Sequence, residues 1–416
     1  MDYSYEKFHH GVTKSGERVH RVVLSSTNGT KVEVSTFGAT LLGLYLPSGV
    51  NVAPCFQEVS ELENRSENPY MVALVGRVAG RTAGAKIREP VAANLASNDG
   101  ENHIHGGISG FDQKVWLIDE SRSGAGDRAS KITLTLSSKD GEEGYPGELL
   151  VEVTYSLFLV EADKVSLGIE LRSQLAPGQP LTTVTPSCLT NHTYWTLSGS
   201  GGGHPSKLDE FEAHDLEVTM NARRLLPQRE SDWMPPSNNK TVSAATATGV
   251  GGAGERGEVG MLDFSKPGRS LRDRIETLGI SNSTYPGAKV SRGINAYFRV
   301  DDWKSRPDRL HPIKETIHSE IPHPRALVER LLPAATFYEQ KTKRSMTVTT
   351  TMPGFVLYSN FGYAPVPPGS CICLETQYPT NSANEIIDEG CEDEIPRCLL
   401  RTSEVIHDLT IHTFSF

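Results

Sequence analysis

The chain of 416 residues has little cysteine, no long apolar run and no excess of basic charge. Six cysteines are too few for a disulfide scaffold, and the pairs Cys371/Cys373 and Cys391/Cys398 do not have the spacing of a zinc site. Reduced thiols are the simpler interpretation. No segment approaches the roughly 20 apolar residues of a membrane span. The net charge of −10 argues against nucleic acid and anionic membrane surfaces as partners.

Targeting and nucleotide-binding motifs are also missing. Residues 1–16 contain no basic region followed by an apolar region, so we predict no secretory signal and a cytoplasmic location. There is no phosphate loop, dinucleotide fingerprint or nucleophile elbow. The glycine-rich run near Gly249 does not stand between a strand and a helix, so it fails the context that such motifs require.

Strand patterns dominate what remains. Alternating or β-branched segments occur at residues 18–26, 31–47, 132–136, 149–159, 164–172, 216–220, 296–300, 345–351, 355–358 and 409–414. Only 270–277 and 325–332 have a helical pattern. Many strands with few short helices predict an all-β sandwich or barrel. The Ala/Thr/Gly-rich segment 237–260 and the charged, proline-rich segment 303–323 are predicted insertions.

Two strand-like segments carry groups suited to proton transfer. Residues 187–199 read SCLTNHTYWTLSG and present His192, and residues 371–377 read CICLETQ and present Glu375. A histidine and a carboxylate facing each other across a pocket can give and take a proton in one turnover. Taken singly, His192 is more simply a core histidine, and Glu375 is equally a salt-bridge partner. Tyr194 and Trp195 are equally core aromatics.

Two further segments carry polar side chains next to glycine. Residues 68–81 contain Arg77 and Arg81, whose guanidinium groups are able to hold neighbouring hydroxyls, although surface salt bridges are the simpler interpretation. Residues 102–116 read NHIHGGISGFDQKVW, where His103 and His105 share a face of an extended chain. No third ligand follows at a metal-like spacing, so hydrogen bonding to a polar ligand is favoured over a metal.

Together and in this order, the segments resemble the aldose 1-epimerase (galactose mutarotase) family. The matching segments are STFGATLLGLYLP, NPYMVALVGRVAGR, NHIHGGISGFDQKVW, GYPG, LTNHTYWTLSG and LETQYPTNSAN. The resemblance implies one large antiparallel β-sandwich domain over residues 1–416, a sugar cleft, and no cofactor or metal. It also implies a small-molecule partner, a free aldose or related cyclic hemiacetal, and we expect a monomer or homodimer.

The resemblance assigns a role to each matching residue. Glu375 is the expected catalytic base and His192 the expected catalytic acid. Five further side chains are expected to bind the substrate: Arg81, His105, Tyr194, Asn295 and Gln377.

Three departures from the family pattern concern the pocket. Gly80 replaces the usual asparagine, Trp195 is expected to make a bulkier wall, and Asn295 stands where the family has an aspartate that grips sugar hydroxyls. Using Asp301 or Asp302 instead would restore the aspartate but break the glycine spacing. An amide both donates and accepts, whereas a carboxylate only accepts.

The expected function is therefore interconversion of the α and β anomers of a free hexose by acid–base ring opening and closure. Two alternatives remain at this stage. One is an isomerase or cyclase acting on a non-sugar oxygen heterocycle, which the altered sugar contacts would suit. The other is a carbohydrate-binding protein without turnover.

Overall fold

Strands make up most of the computed structural model, which describes residues 2–210, 212–226, 234–235, 240–243, 263–265, 267–277, 294–301, 303, 332–359, 366–390 and 395–416. The described α-helices are α1, Val59–Leu62, and α2, Leu271–Thr277. Short 3-10 turns lie at Ala83–Ala85, Phe111–Gln113, Glu142–Gly144, Ser200–Gly203, Pro205–Lys207 and Glu212–Asp215. Within these ranges, neither helix has the length and apolarity needed to span a bilayer.

The described strands follow the chain in this order: β1 Tyr3–Val12, β2 Arg18–Ser26, β3 Lys31–Ser35, β4 Leu41–Tyr45, β5 Leu74–Val75, β6 Arg81–Thr82, β7 Lys86–Ile87, β8 Ala93–Asn94, β9 His103–Ile104, β10 Leu117–Ile118, β11 Gly124–Ala125, β12 Ser130–Ser138, β13 Leu149–Glu161, β14 Lys164–Leu175, β15 Val184–Pro186, β16 Thr190–Asn191, β17 Tyr194–Trp195, β18 Glu217–Met220, β19 Arg224–Leu226, β20 Val242–Ser243, β21 Asn295–Arg299, β22 Ala335–Tyr338, β23 Ser345–Thr350, β24 Gly354–Tyr358, β25 Ile372–Gln377, β26 Leu399–Arg401 and β27 Val405–Ser415.

Two antiparallel sheets form the body of the fold. The main sheet has the order β10-β12-β13-β14-β27-β23-β22-β18, with β11 paired to β12. The facing sheet has the order β17-β25-β24-β21-β19-β20. Alternation along β13 turns Val151, Val153, Tyr155 and Leu157 into the core. The prediction of an all-β sandwich with few short helices is confirmed.

The two sheets pack through aromatic rings and hydroxyls. The ring of Trp195 on β17 lies 4.7 Å from that of His412 and 5.3 Å from that of Phe414, both on β27. Alongside them, the hydroxyls of Thr376 on β25 and Thr410 on β27 lie 2.6 Å apart. These contacts hold β25, the strand that carries Glu375, against the main sheet.

A four-stranded sheet, β1-β2-β3-β4, covers another part of the core. The ten-residue strand β1 was not predicted, because its half-exposed sequence lacks a clear apolar alternation and its order comes from pairing with β2. The segment predicted as one strand at 31–47 is two strands. The turn between them includes Gly38, with φ of 63°, and Ala39, with φ of 46°.

The predicted helix at 270–277 is present as α2, and the Ser270 hydroxyl accepts a hydrogen bond from the Asp273 N–H at its start. Residues 325–331 of the second predicted helix and most of the two predicted insertions, 237–260 and 303–323, lie outside the described residues.

His412 gives the fold a predicted sensitivity to acid. Both of its ring nitrogens are buried without a hydrogen-bond partner among the described residues. Burial lowers the pKa of His412 from 6.5 to about 3. The folded protein therefore keeps the ring neutral, whereas the unfolded chain binds a proton below pH 6.5. The stabilisation that comes from keeping His412 neutral is therefore complete above pH 6.5. As the pH falls, proton binding by the unfolded chain lowers the free energy of unfolding, by roughly 2 kcal/mol at pH 5.

Replacing His412 with phenylalanine is expected to remove this loss. Relative to wild type, the variant should gain about 2 kcal/mol in unfolding free energy at pH 5 compared with pH 7.5, measured by urea unfolding. Any overpacking by the larger ring changes the unfolding free energy by the same amount at both pH values, so it cancels in the difference. Replacing the exposed His9 with glutamine is the control and should leave the difference near zero. A variant effect equal at both pH values would contradict the burial of a neutral ring.

Candidate active site

A cavity of about 110 Å³ lies where the facing sheet meets the loops around β6 and β9. The seven side chains to which the family resemblance assigns a role all line it: Arg81, His105, His192, Tyr194, Asn295, Glu375 and Gln377. They come from segments up to about three hundred residues apart in the chain. The fold therefore brings the predicted set together in one place.

His192 and Glu375 face each other inside this cavity. Tyr194 on β17 pairs with Cys373 on β25, which places the two segments side by side. The backbone of His192 is anchored as well, because its N–H donates to the Ala73 carbonyl and its carbonyl accepts from the Val72 N–H. His192 Nε2 lies 3.5 Å from Glu375 Oε1.

The environment of Glu375 suits a general base. Its side chain is 6% exposed, and burial raises the pKa of Glu375 above its ordinary value, while His192, Arg81 and a hydrogen bond from Cys373 act in the opposite direction. A carboxyl with a raised pKa takes up a proton more readily than an exposed one. The carboxylate and the imidazole therefore form a pair able to exchange protons with a bound ligand.

His105 is held with a defined proton arrangement. The backbone N–H of Gly80 donates to His105 Nδ1 at 3.3 Å, and the backbone N–H of His105 donates to the Gly80 carbonyl at 3.1 Å. Nδ1 is therefore an acceptor, and Nε2 carries the proton. Burial lowers the pKa of His105 well below its usual value, with His192 adding to the effect, so the ring is a neutral donor.

This arrangement bears on metal binding. His105, His192 and Glu375 offer ligand atoms within 4.8 Å of one another. A metal requires a lone pair, but the His105 nitrogen left free by the Gly80 contact carries a proton. The donor set therefore fits a polar organic ligand better than a cation.

The backbone around His105 explains why glycine follows it at position 106. His105 has φ of 51°, and Gly106 has φ of 84°. A Cβ on Gly106 would lie 1.7 Å from the carbonyl oxygen of Gly76, so no other residue fits there. The carboxylate of Glu143 accepts the N–H groups of Ile108 and Ser109 and holds the loop that follows.

The two arginines of the 68–81 segment have different positions. Arg81 lines the cavity and donates to Asp99 at 2.6 Å. Arg77 is 1% exposed, so the expectation of a surface salt bridge is wrong for it. Its guanidinium donates to the carbonyls of Pro146 and Gly147 and to the Ser138 hydroxyl, and burial lowers the pKa of Arg77 to about 10. Arg77 thus ties the 138–147 turn to the body of the protein.

Asn295 belongs to the facing sheet. It begins β21, opposite Tyr358, and lines the cavity. Asp301 instead pairs with Arg223 at 2.8 Å, outside the cavity, so it does not replace the missing carboxylate. Asp302 lies outside the described residues.

The departures at Gly80 and Trp195 have different consequences. Gly80 has φ of 73°, and a Cβ there would be 3.4 Å from Gln377 Nε2, so the missing side chain leaves room beside the cavity. Trp195 does not line the cavity. Its neighbour Tyr194 does, and the indole points to β27, so the expectation of a bulkier wall is wrong.

Sequence reasoning missed several side chains of the cavity, among them Tyr70, Tyr358 and Thr380. The Tyr70 ring lies 4.7 Å from that of His105, and the Arg65 guanidinium lies over it at 4.3 Å. Tyr70 stands in the same 68–81 segment as Arg77 and Arg81. An aromatic residue next to a matched motif was the signal available.

Gln377 gives the clearest sign of an unfilled hydrogen-bonding site. Its side chain is 1% exposed, and Oε1 has no hydrogen-bond partner within the described ranges. A buried carbonyl oxygen without a partner costs free energy, and a donor on a ligand would relieve it. The cavity thus offers donors at His105 and Arg81, and Gln377 lines it with a buried amide.

Comparison with known proteins identifies the family of the chain. The aldose 1-epimerase family model matches residues 20–246, more than half of the chain. Galactose mutarotase from Sus scrofa is 34% identical over 206 residues, which are 48% of this chain and 52% of that protein. Maltose epimerase from Levilactobacillus brevis is 31% identical over 275 residues, 64% of this chain and 67% of that protein. The chain belongs to the aldose 1-epimerase family.

The fold is also similar to solved structures along nearly its whole length. Galactose 1-epimerase from Lactobacillus acidophilus has a TM-score of 0.68 and 21% identity, covering 99% of this chain and 98% of that one. By sequence, however, the chain spans about half the length of the mammalian mutarotases it matches. The structural similarity therefore extends over the region where the sequence similarity fades.

Proposed function

We propose that the protein is an aldose 1-epimerase that interconverts the α and β anomers of a free hexose. The observation that carries the proposal is the buried pair of His192 and Glu375, with 3.5 Å between Nε2 and Oε1. Membership of the family and the names of the relatives support it. We also propose that one family domain runs through the chain.

In the proposed reaction, Glu375 removes the proton from the anomeric hydroxyl while His192 gives a proton to the ring oxygen. The bond between C1 and the ring oxygen breaks, its electrons remain on that oxygen, and C1 becomes an aldehyde. Rotation about the C1–C2 bond presents the other face, and closure returns both protons. The starting protonation states are restored, so the proposed chemistry uses no metal or redox cofactor.

The remaining polar groups hold the sugar against this pair. His105 donates from Nε2, Arg81 donates from a guanidinium steadied by Asp99, and Gln377 Oε1 accepts. A ring of hydroxyls on the substrate matches alternating donors and acceptors. Tyr70 and Tyr358 supply aromatic surface for the C–H face of the sugar.

Polarimetry tests the proposal directly. Freshly dissolved α-D-glucose, α-D-galactose and α-maltose should each be followed to equilibrium with and without protein. We expect acceleration of at least one approach to equilibrium that is proportional to protein concentration. Without acceleration, binding detected by calorimetry would indicate a sugar-binding protein, and no binding would indicate a different substrate.

Asn295 is expected to weaken the grip on the sugar. Replacing Asn295 with aspartate restores a charged acceptor for hydroxyls, so the KM for galactose or glucose should fall about tenfold with little change in kcat. If the pocket instead suits a less polar substrate, the carboxylate would be poorly solvated. The thermal midpoint would then fall and no sugar turnover would be gained. Replacing Asp301 with asparagine, outside the cavity, is the control and should leave KM unchanged.

A further inference from the structure

Cys373 contacts His192 and lies on the same strand as Glu375, the two members of the proposed acid–base pair. It stands two residues before Glu375 on β25, so the two side chains share a face of the strand. Its Sγ lies 3.4 Å from His192 Nδ1, and Cys373 helps to hold down the pKa of the Glu375 carboxyl against the effect of burial. The side chain is fully buried and does not line the cavity. The thiol thus lies behind the two groups, away from the space for substrate.

The direction of the His192–Cys373 hydrogen bond follows from the proposed role of His192. As the acid, the imidazolium carries a proton on both ring nitrogens and has no acceptor, so Nδ1 donates to the Cys373 sulfur. When Nε2 has given its proton to the substrate, the remaining proton is the one on Nδ1.

We propose that Cys373 is a positioning residue that keeps a proton on His192 Nδ1, so that only Nε2 exchanges a proton with the substrate. The inference rests on the proposed function. During ring opening Nε2 loses its proton and must afterwards accept one. If the neutral ring moved its remaining proton to Nε2, it would present a donor where an acceptor is needed, and closure would be delayed. A hydrogen bond from Nδ1 to sulfur opposes this tautomer.

The other groups around His192 do not perform this task. The Tyr194 ring is stacked at 5.3 Å and the His105 ring lies at 5.4 Å, both contacting the imidazole through ring faces or edges. Glu375 faces Nε2 and not Nδ1, and the charge of Arg81 lowers the pKa of Glu375. Burial raises the pKa of Cys373 well above its usual value, so the thiol remains neutral and does not compete as a base.

Kinetics of two Cys373 variants test the inference. Cys373→Ala should lower kcat about three- to tenfold with little change in KM. The acidic limb of its kcat–pH profile should move to higher pH, because Glu375 loses a donor that stabilises its ionised form. Cys373→Ser, which keeps a donor and an acceptor, should restore kcat to within about twofold and return the limb. Cys371→Ala removes another buried thiol, just before the start of β25. It is the control for cavity formation and should leave kcat and the acidic limb unchanged.

NMR of selectively ¹⁵N-labelled histidine provides a readout independent of activity. At a pH where His192 is neutral, its proton should be on Nδ1 in the wild type and should shift towards Nε2 in Cys373→Ala, with the signal assigned by its loss in His192→Asn. An unchanged tautomer, or an alanine variant with wild-type kcat and pH limb, would overturn the inference. Loss of kcat that serine does not restore, with a lowered thermal midpoint, would also overturn it by showing a purely structural role. If the wild type accelerates no mutarotation, the proposed function fails, and the tautomer measurement alone decides the role of Cys373.

Discussion

Replacing Glu375 with glutamine is expected to lower the mutarotation rate by about 10²- to 10⁴-fold, the range that general-base catalysis contributes. Glutamine keeps the shape of the side chain and is unable to accept a proton at neutral pH. Since burial opposes the charged form of Glu375, the neutral amide should be tolerated, and the thermal midpoint should not fall sharply. Polarimetry and thermal unfolding of the same preparation measure both quantities.

The chain offers a matched control for this variant. Glu170 accepts from His407 at 2.9 Å on the main sheet, outside the cavity, and so forms a second histidine–glutamate pair without a proposed role in catalysis. Glu170→Gln should leave the mutarotation rate unchanged. If Glu375→Gln retained more than about a tenth of the wild-type rate on the true substrate, Glu375 would not be the base.

The wild-type rate should also depend on the protonation of Glu375. The carboxylate is active in its ionised form, so the rate should fall as the pH drops through the pKa of Glu375. Because burial raises that pKa, the acidic limb should lie above the value of an exposed glutamate.

Replacing His192 with asparagine is expected to be as damaging as losing Glu375, and the two losses should not multiply. Both residues serve one proton circuit, so removing either stops ring opening, and the double variant should be close to the more impaired single variant. A double-mutant cycle on kcat measures this non-additivity. The His407→Asn/Glu170→Gln cycle on the main sheet is the control and should show no effect on kcat.

A double variant whose loss equals the product of the single losses would show that His192 and Glu375 act independently. In that case the 3.5 Å separation of Nε2 and Oε1 would have no bearing on catalysis. A buried histidine next to a carboxylate would then be a structural pair like His407 and Glu170.

The local sequence pattern was sufficient to predict most strands. It was insufficient where the position of a strand depends on its pairing partner or on packing. The 149–159 segment was predicted because its apolar residues alternate on one face, and β13 contains it. Strand β1 was missed because most of its surface is exposed and its partner β2 supplies its order. The division of the 31–47 segment arises at the turn beside Lys114, whose carbonyl accepts from Gly38, a contact remote in sequence.

The candidate site divides in the same way. The motifs around His192, Glu375, Arg81 and His105 are weak singly and were recognisable through their joint resemblance to the family, and all four residues line one cavity. Arg77 has the same residue type and a similar neighbourhood in sequence as Arg81. Its burial against the 138–147 turn depends on a part of the chain more than sixty residues away.

The sequence alone determined the class of fold and the family and pointed to the residues of the proposed acid–base pair, since these depend on local alternation and on short motifs. Only the tertiary structure decided which nitrogen of each histidine faces the cavity. Gly80 selects the Nε2 proton of His105, and Cys373 contacts Nδ1 of His192. The tertiary structure also decided the direction of the Trp195 side chain, which packs against β27 instead of lining the cavity. Ring orientation and protonation depend on neighbours that meet across sheets, and such contacts leave no local pattern in the sequence.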